Sequence, residues 1–308
     1  MKIIVTGGAG FVGSHLVDAY VAAGHEVFVI DDLSSGNKRN LNPRAKFHHV
    51  DLLDPKMARL FAEIRPDVLN HHAAQMDVRR SVSDPLFDAR VNILGFINLL
   101  ESCKPLGLRK VIFASSGGAI YGEQESFPAS EEHPKRPASP YGVSKLAGEN
   151  YLAYYQTTFG IPYVARRYSN VYGPRQNSKG EAGVVAIFTE RLLAGKIPMI
   201  NGDGKQTRDF VYVGDVCAAN LRALETSYAG ELNIGTGVET DIATLYHKIC
   251  DRLGSRAAAV HGPAKSGEQL RSSLDSSRAR AILNWSPRAS LDEGLAQTVA
   301  HYREARSS

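Results

Sequence analysis

Short apolar runs alternate with amphipathic stretches through the first half of the chain. The runs at 2–6, 26–31, 46–49, 68–71, 110–115 and 163–168 predict strands. The stretches between them, at 11–23, 56–64, 87–103 and 141–159, predict helices. Strands that alternate with helices require right-handed crossovers, and these build a parallel sheet covered on both faces. The predicted fold class is therefore α/β, a doubly wound parallel sheet. After Tyr168 the rhythm breaks. Gly173-Pro174-Arg175 and Lys179-Gly180-Glu181 are loop-like, 184–194 predicts a helix, and 198–201 predicts a short strand. Asn201-Gly202-Asp203-Gly204 is a turn signal, and 291–303 predicts a final helix. This later part is expected to form a smaller C-terminal lobe over the carboxyl edge of the sheet.

Composition narrows the class. The chain has 308 residues, 43% hydrophobic and 22% charged, which are ordinary values for a globular protein of one large domain or two smaller ones. No apolar run is long enough to span a bilayer. Met1-Lys2 passes straight into Ile3-Ile4-Val5, so no signal peptide is expected. Cys103, Cys217 and Cys250 are scattered without metal-ligand spacing; reduced thiols, a cytoplasmic location and no metal are expected. The net charge of +4 comes without any Lys/Arg block or interleaved aromatics, which argues against nucleic-acid binding. A few arginines facing a diphosphate would use some of that charge.

The first chemical signal follows the first strand, in Thr6-Gly7-Gly8-Ala9-Gly10-Phe11-Val12-Gly13. Gly8, Gly10 and Gly13 satisfy G-x-G-x-x-G, and Gly7, Gly10 and Gly13 satisfy G-x-x-G-x-x-G. Glycines between a strand and a helix allow a tight turn and close approach of backbone to a pyrophosphate, while the helix N-terminus offers free N–H groups. Asp31 ends the second strand, where a ribose-binding acid falls. Its carboxylate can accept from both ribose hydroxyls and would repel a 2′-phosphate, which favours NAD over NADP. Asp32 beside it reads better as a turn residue.

The second signal is Tyr141-Gly142-Val143-Ser144-Lys145 after Pro140. Tyrosine and lysine four residues apart share a helix face. The ammonium favours the phenolate, and a phenolate beside a nicotinamide can take the proton of an alcohol whose carbon loses hydride. Upstream, Ser115-Ser116-Gly117-Gly118 ends the strand 110–115, where open α/β sheets bind ligands. One of these hydroxyls could bond a substrate oxygen, although Ser115 also reads as a polar strand terminus.

With these residues in order, the chain resembles the extended short-chain dehydrogenase/reductase family, and within it the nucleotide-sugar 4-epimerases of the UDP-glucose 4-epimerase type. The resemblance covers nearly the whole chain. It rests on 6–13, 31–36, Asp51-Leu52, Ala73-Ala74-Gln75, Asn92, 115–122, 141–145, 167–175 and Arg208-Asp209-Phe210-Val211. It implies a Rossmann domain from 1–167 and 209–233 that binds NAD, and a substrate lobe from 168–208 and 234–308. Gly7, Gly10, Phe11, Val12 and Gly13 would hold the pyrophosphate. Asp31, Asp32, Ser34, Ser35, Gly36 and Asn37 would line the adenosine end, and Asp51 and Leu52 would contact adenine. Ala73, Ala74, Gln75 and Asn92 would lie along pyrophosphate and ribose. Ser115, Lys145, Tyr168 and Ser169 would serve the nicotinamide half. Tyr141, Lys145 and Ser116 would be catalytic. Asn170, Arg208, Lys265 and Arg271 would hold a UDP-sugar by its diphosphate, Val184, Val185, Ile200 and Asn201 would form the uridine pocket, and Ser272 would face the sugar near C2. A homodimer is also implied, with Leu94, Phe96, Leu146 and Tyr154 as contacts.

Two departures from the pattern matter. Relatives often carry Ser or Thr where this chain has Gly117, which leaves Ser116 as the nearest hydroxyl. The late diphosphate arginine is replaced by Lys265, and Lys is not equivalent to Arg for bidentate phosphate binding. Dehydratases of this kind place acids directly after the active-site hydroxyl, whereas Gly117 and Gly118 cannot transfer protons, and Asp31 argues against an NADPH-driven reductase. Redox-neutral 4-epimerisation is the expected reaction. Another nucleotide-sugar-modifying enzyme of the same family (a UDP-glucuronate epimerase, reductase or dehydratase) and a non-catalytic NAD-bound sensor are the alternatives, and the intact Tyr141–Lys145 pair argues against the sensor.

Overall fold

The computed structural model describes residues 1–178, 183–264 and 269–307. Lys179, Gly180, Glu181, Lys265 and Glu268 lie outside the described residues. The strands are β1 (Lys2–Thr6), β2 (Glu26–Asp31), β3 (Lys46–His49), β4 (Val68–His71), β5 (Lys110–Ser116), β6 (Tyr163–Tyr168), β7 (Asn170–Tyr172), β8 (Met199–Asn201), β9 (Thr207–Tyr212), β10 (Gly230–Ile234), β11 (Glu239–Asp241) and β12 (Val260–Gly262). The helices are α1 (Phe11–Ala22), α2 (Met57–Ile64), α3 (Val78–Ser83), α4 (Pro85–Ala89), α5 (Gly95–Cys103), α6 (Gly117–Tyr121), α7 (Pro140–Phe159), α8 (Val184–Leu193), α9 (Val213–Glu225), α10 (Ile242–Leu253), α11 (Ser277–Leu283) and α12 (Leu291–Ser307).

Seven strands form one parallel sheet in the order β10-β6-β5-β4-β1-β2-β3. Alternate residues of each strand feed two separate layers. Ile4, Phe28, Leu69, Val111 and Phe113 pack with Phe61 of α2, Phe96 of α5 and Leu152 of α7. Ile3, Val5, Val27, Val29 and Ile112 pack with Leu16, Val17 and Tyr20 of α1 and Cys217 of α9. Both faces are thus covered, which is why these strands read as continuous apolar runs. The strand order reverses between β1 and β4, and ligands of doubly wound folds bind in the crevice at such a switch point.

Two glycines bring α7 unusually close to this edge. A Cβ on Gly148 would lie 2.6 Å from the Phe113 ring, and one on Gly142 would lie 2.5 Å from the Ala119 carbonyl oxygen. Pro140 opens α7 and Ser139 caps it, its side chain accepting from the Gly142 N–H. The helix therefore starts where the sequence predicts, with Tyr141 in its first turn.

The single helix expected at 87–103 is a correction. The chain forms α4, then a π-helical turn at Arg90–Leu94, then α5. The wide turn carries Asn92, whose side chain donates to Asp88 Oδ1 and to the Gln75 carbonyl and accepts from the Gln75 N–H. One extra residue in a turn barely disturbs apolar periodicity, so the pattern does not reveal it.

The C-terminal lobe was read more thinly. Two small sheets stand there, β11-β9-β7 and β12-β8. Of their strands only β8 matches an expected strand, 198–201. β7, β11 and β12 have three residues each, too few for alternation to register. The final strand of the main sheet, β10, was also not predicted. Among the described residues, no helix is long and apolar enough to cross a membrane and no His/Cys/Asp/Glu group could hold a metal. Cys103, Cys217 and Cys250 are buried free thiols.

Candidate active site

The glycine loop is a cradle that side chains would fill. A Cβ on Gly7, whose φ is +69°, would stand 2.6 Å from the Ala73 nitrogen, and one on Gly13 would stand 2.0 Å from the Gly7 oxygen. Ala73 thus closes one side of the loop. Gly10 caps α1 without a side-chain hydrogen bond, so the helix presents its N-terminal N–H groups, Phe11 and Val12 among them, to an incoming anion. These residues fit the pyrophosphate of a dinucleotide.

Asp31 lies at the end of β2, buried against the same loop. One carboxylate oxygen accepts from the Ala9 N–H at 2.9 Å and the other from the Leu33 N–H at 2.8 Å. Burial raises its pKa, and the two N–H donors and His49 oppose that rise, so the carboxyl is fixed in orientation while each oxygen keeps a lone pair. A Cβ on Gly36 would meet Asp31 Oδ1 at 2.7 Å. Asp32 accepts from the Ser34 N–H and hydroxyl, which makes it the turn residue its position suggests. Asn37 accepts from the Arg39 N–H, and Ser35 is exposed beside it. Asp51 is exposed and folds back on the Leu53 N–H, while Leu52 packs onto Gly95. Ala74 follows Ala73 toward Gln75. Gln75 and Asn92 are bound to each other and to Asp88, so their side chains brace this wall.

The reacting end is built by α7 meeting the end of β5. Lys145 is buried and donates from Nζ to the Ala114 carbonyl at 2.9 Å. Nζ also stands 5.0 Å from the Phe113 ring centroid and 5.8 Å from that of Tyr141. Burial pushes the ammonium down to about 8, and the Asp88 carboxylate pulls in the other direction. Asp88 was not singled out from the sequence. It is fully buried and accepts from Ser144, Gln75 and Asn92, tying α4 to α7 directly beside Lys145. Ser116 caps α6, its oxygen 3.4 Å from the Ala119 nitrogen. It shares a strand end with Tyr168, its register partner on β6.

Ser115 is different from Ser116. Its hydroxyl is buried and donates to Glu149 Oε1 at 2.7 Å. Glu149 also takes the Arg167 guanidinium in two bonds, at 2.9 and 2.6 Å. Arg167 Nη1 reaches the Tyr121 hydroxyl at 3.0 Å, and Tyr121 donates to Asn233. This network joins α7, β5, β6, α6 and β10. Breaking such a buried pair costs about 3–5 kcal/mol, because it leaves a charge without its partner. Ser115 therefore belongs to the support of the site, the polar-terminus role that rivalled a ligand contact.

The residues expected on the substrate side gather around β7, β8 and β9. Asn170, Ser169, Val184 and Val185 line a cleft of about 190 Å³ together with Tyr172, Gln176, Gly183 and Phe210. Ile200 is buried in the core of this lobe, and Asn201 uses its carbonyl to take Gln206. Arg208 bonds the Thr207 carbonyl at 2.7 Å. Arg271 is engaged at the β9–β11 edge: its fork holds the Glu239 carboxylate at 3.0 and 2.5 Å, and its guanidinium covers the Phe127 ring at 3.8 Å.

The stretch 272–274 forms a wall over the end of β5. A Cβ on Gly117 would lie 2.6 Å from Leu274 Cδ1, so Leu274 occupies the room a larger residue would need there. Next to it, a Cβ on Gly118 would have Ser272 Oγ at 3.7 Å and Gln269 Oε1 at 3.8 Å. Ser272 is buried and faces the reacting end of the sheet. Asp209 fastens this wall, accepting from the Leu274, Thr236 and Gly237 N–H groups. Burial raises the Asp209 pKa and these bonds oppose the rise. Gln269, Leu274 and Asp209 were not assigned site roles from the sequence. Only Asp209 carried a signal, as part of Arg208-Asp209-Phe210-Val211.

A strand–glycine loop–helix unit at a switch point, with a tyrosine and a buried lysine at the end of β5, defines a dinucleotide-dependent oxidoreductase-type site on a doubly wound sheet. Residues 3–235 match the model of the NAD dependent epimerase/dehydratase family, and the chain belongs to that family. UDP-glucose 4-epimerase of Mycolicibacterium smegmatis is 46% identical, covering 98% of this chain and 99% of that one. The crystal structure of UDP-glucose 4-epimerase with UDP-glucose from Thermotoga maritima superposes with a TM-score of 0.98 at 45% identity, covering 99% and 100% of the two chains. The Thermus thermophilus UDP-glucose 4-epimerase complex with NAD gives 0.94 at 44% identity, again over 99% and 100%.

Proposed function

We propose that this protein is an NAD-dependent 4-epimerase of UDP-hexoses, interconverting UDP-glucose and UDP-galactose through a transient 4-keto sugar. The observation that carries the reading is the placement of Lys145 and Tyr141 on consecutive turns of α7, with the ammonium anchored at the end of β5 beside Ser116. Tyr141 takes the proton of the sugar 4-hydroxyl and returns it after the sugar has turned. Lys145 stabilises the phenolate and holds the nicotinamide ribose. Ser116, whose oxygen caps α6, orients the reacting hydroxyl. NAD, when bound, supplies a reversible hydride acceptor. Asn170 and Arg208, joined by Lys265, hold the diphosphate, and Val184, Val185, Ile200 and Asn201 shape the uridine end. Arg271 reaches the diphosphate only by leaving Glu239. The two-lobe division at 1–167 with 209–233 and 168–208 with 234–308 follows this split of labour.

Dehydration is disfavoured by the same geometry. Leu274 fills the space over Gly117, and among the described residues the groups nearest a Cβ on Gly118 are Ser272 and Gln269, neither of which is an effective general acid or base at neutral pH. A proton NMR assay with UDP-galactose and no added reductant tests the reading. UDP-glucose should accumulate to equilibrium, and a stable 4-keto product or no turnover would reject it.

The pocket wall sets substrate breadth. Ser272 is small and faces Gly118, so space remains near the sugar C2, and UDP-GlcNAc and UDP-GalNAc are expected as substrates too. Ser272→Tyr should lower kcat/KM for the N-acetylated sugars at least tenfold more than for UDP-galactose, since it removes space without touching the chemistry. Equal losses on both classes would place Ser272 outside the sugar pocket.

A homodimer is supported by apolar side chains exposed on α3, α4, the π-helical turn and α7. Leu86 is 82%, Val82 63%, Leu94 55% and Tyr154 52% exposed. Phe96 is fully buried within its own subunit and Leu146 packs against Ile120, Tyr121 and Leu274, so those two expected contacts are replaced by their neighbours on the same surface. Light scattering at micromolar concentration should give twice the chain mass of 33.5 kDa; a monomer would reject the pairing. Buried free thiols suit a reducing compartment, and we place the protein in the cytoplasm.

A further inference from the structure

β6 carries two adjacent arginines that point to opposite faces of the sheet, and only one of them meets a carboxylate. Arg167 is locked onto Glu149. Arg166 is 0% exposed and forms no ion pair among the described residues. Its Nη2 donates to Asn70 Oδ1 at 3.3 Å, and its Nε and Nη1 make no hydrogen bond. The groups around it are neutral. Asn70 donates to the Tyr20 hydroxyl and to Asn220, and the Tyr168 ring lies 5.6 Å from the guanidinium carbon. Burial holds the Tyr20 and Tyr168 phenols above their ordinary value and the Cys217 thiol at about 12, so none of them is an anion at working pH.

The place of this charge is what gives it a use. Arg166 is paired in register with Ala114, whose carbonyl takes the Lys145 ammonium. Tyr168, two residues further along the same face, is paired with Ser116 at the reacting end. His72, which follows β4, meets the Tyr168 hydroxyl at 3.1 Å, and its Nδ1 has no partner. Burial, together with the charges of Arg166 and Lys145, pushes the His72 pKa well down, so it adds no compensating or competing charge. A cation without a counterion therefore lies beneath the carboxyl ends of β4, β5 and β6. Its side chain is fully buried, and the field of a buried charge is less screened than that of an exposed one.

We propose that Arg166 is an electrostatic residue for the bound dinucleotide, an uncompensated buried charge that favours the reduced nicotinamide over the oxidised one. The inference rests on the NAD reading of the site. In the oxidation half of the reaction the sugar C4–H bond breaks, its hydrogen leaves with both electrons, and the hydroxyl proton goes to Tyr141. The nicotinamide ring thereby passes from a positive charge to none. A fixed cation nearby opposes the first state and is indifferent to the second. It thus draws the equilibrium toward the 4-keto sugar, while the Lys145–Tyr141 pair handles the proton.

The test is a redox titration of the holoenzyme against a dye couple under anaerobic conditions, read by the near-ultraviolet absorbance of the reduced nicotinamide. Arg166→Met should shift the equilibrium about tenfold toward the oxidised cofactor, a potential about 30 mV lower. Asn70→Asp keeps the guanidinium and places a carboxylate on it; it should shift the potential in the same direction. Arg166→Lys keeps the charge and should stay near the wild type. A merely structural arginine would leave the potential unmoved in all three. Should Arg166→Met fail to fold, Asn70→Asp still decides, with Arg166→Lys as the control that keeps the charge. Wild-type potentials in Asn70→Asp and in any folded Arg166→Met overturn the proposal. A wild-type protein that takes up no NAD would overturn the reading of the whole site, and this proposal with it, a result distinct from unchanged potentials in a loaded enzyme.

Discussion

Tyr141→Phe should lower kcat by roughly 10²–10⁴ while NAD stays bound, the usual range for removing a positioned acid–base group. The substitution deletes one oxygen and keeps the ring, so the packing of α7 on β5 is preserved. That packing depends on Gly142 against the Ala119 carbonyl and Gly148 under Phe113, neither of which involves the phenol hydroxyl. Lys145 also keeps its anchor on Ala114. The protein should therefore melt within a few degrees of the wild type and retain cofactor after gel filtration. What it loses is the group that receives the 4-hydroxyl proton as hydride leaves the same carbon. Ser116 cannot replace it, because a serine hydroxyl is a far weaker acid and base than a phenol beside an ammonium. A variant with most of the wild-type kcat would remove Tyr141 from the chemistry. One that loses cofactor together with activity would show that the tyrosine acts through binding.

What the sequence disclosed and what it hid divide along physical lines. The central strands of the main sheet up to Tyr168 were legible because both faces are buried, which forces apolar runs, whereas the edge strand β3 is only partly buried. The glycine loop was legible because Gly7 and Gly13 stand where backbone meets backbone, and no other residue fits there. Asp88 and Glu149 were not legible. Each sits on a helix in a stretch that reads as an ordinary solvated face, and each is in fact a buried carboxylate that ties the site's elements together, one through Ser144 beside Lys145 and the other through Ser115 and Arg167. Two arginines in a row on β6 would ordinarily argue for an exposed strand, and both are buried. Of the wall at 272–274 only Ser272 was named; Leu274 escaped because the stretch is loop-like and gains its position from a distant carboxylate, Asp209, through the Leu274 N–H. Long-range hydrogen bonds of that kind leave no local periodicity to read.

Gly117 shows how a departure in sequence becomes a statement about structure. A missing hydroxyl at that position leaves open which group faces the substrate. The structure answers with a pair, Gly117 under Leu274, in which the side chain from the C-terminal lobe takes the space. The nearest hydroxyl is that of Ser116, one residue earlier, whose oxygen caps α6 and whose strand end is shared with Tyr168, and it is the group proposed for the hydroxyl role.

Lys145→Met should lower kcat by about 10²-fold or more and reshape the pH profile on both sides. On the acid side the sign follows from the phenol. A nearby cation favours the phenolate, so removing it raises the pH at which Tyr141 ionises, and the acid limb should move to higher pH. On the alkaline side the sign follows from Lys145 itself. Burial brings its ammonium down to about 8, and Asp88 only partly offsets this. Above that pH the wild type loses the charge that supports the phenolate, and its activity should fall. Methionine carries no proton to lose, so that fall should vanish in the variant. Cofactor affinity should weaken as well, since the ammonium is the group placed to hold the nicotinamide ribose. The same burial affects stability. The folded protein binds the Lys145 proton less tightly than the unfolded chain, so between about 8 and the ordinary lysine value near 10.4 the unfolded state carries more protons, and Lys145's contribution to stability rises with pH. In Lys145→Met that rise should be absent. A variant whose pH–rate profile keeps both limbs of the wild type would show that the ammonium and the phenol are not coupled, and the pairing of Tyr141 with Lys145 on α7 would then be a matter of packing alone.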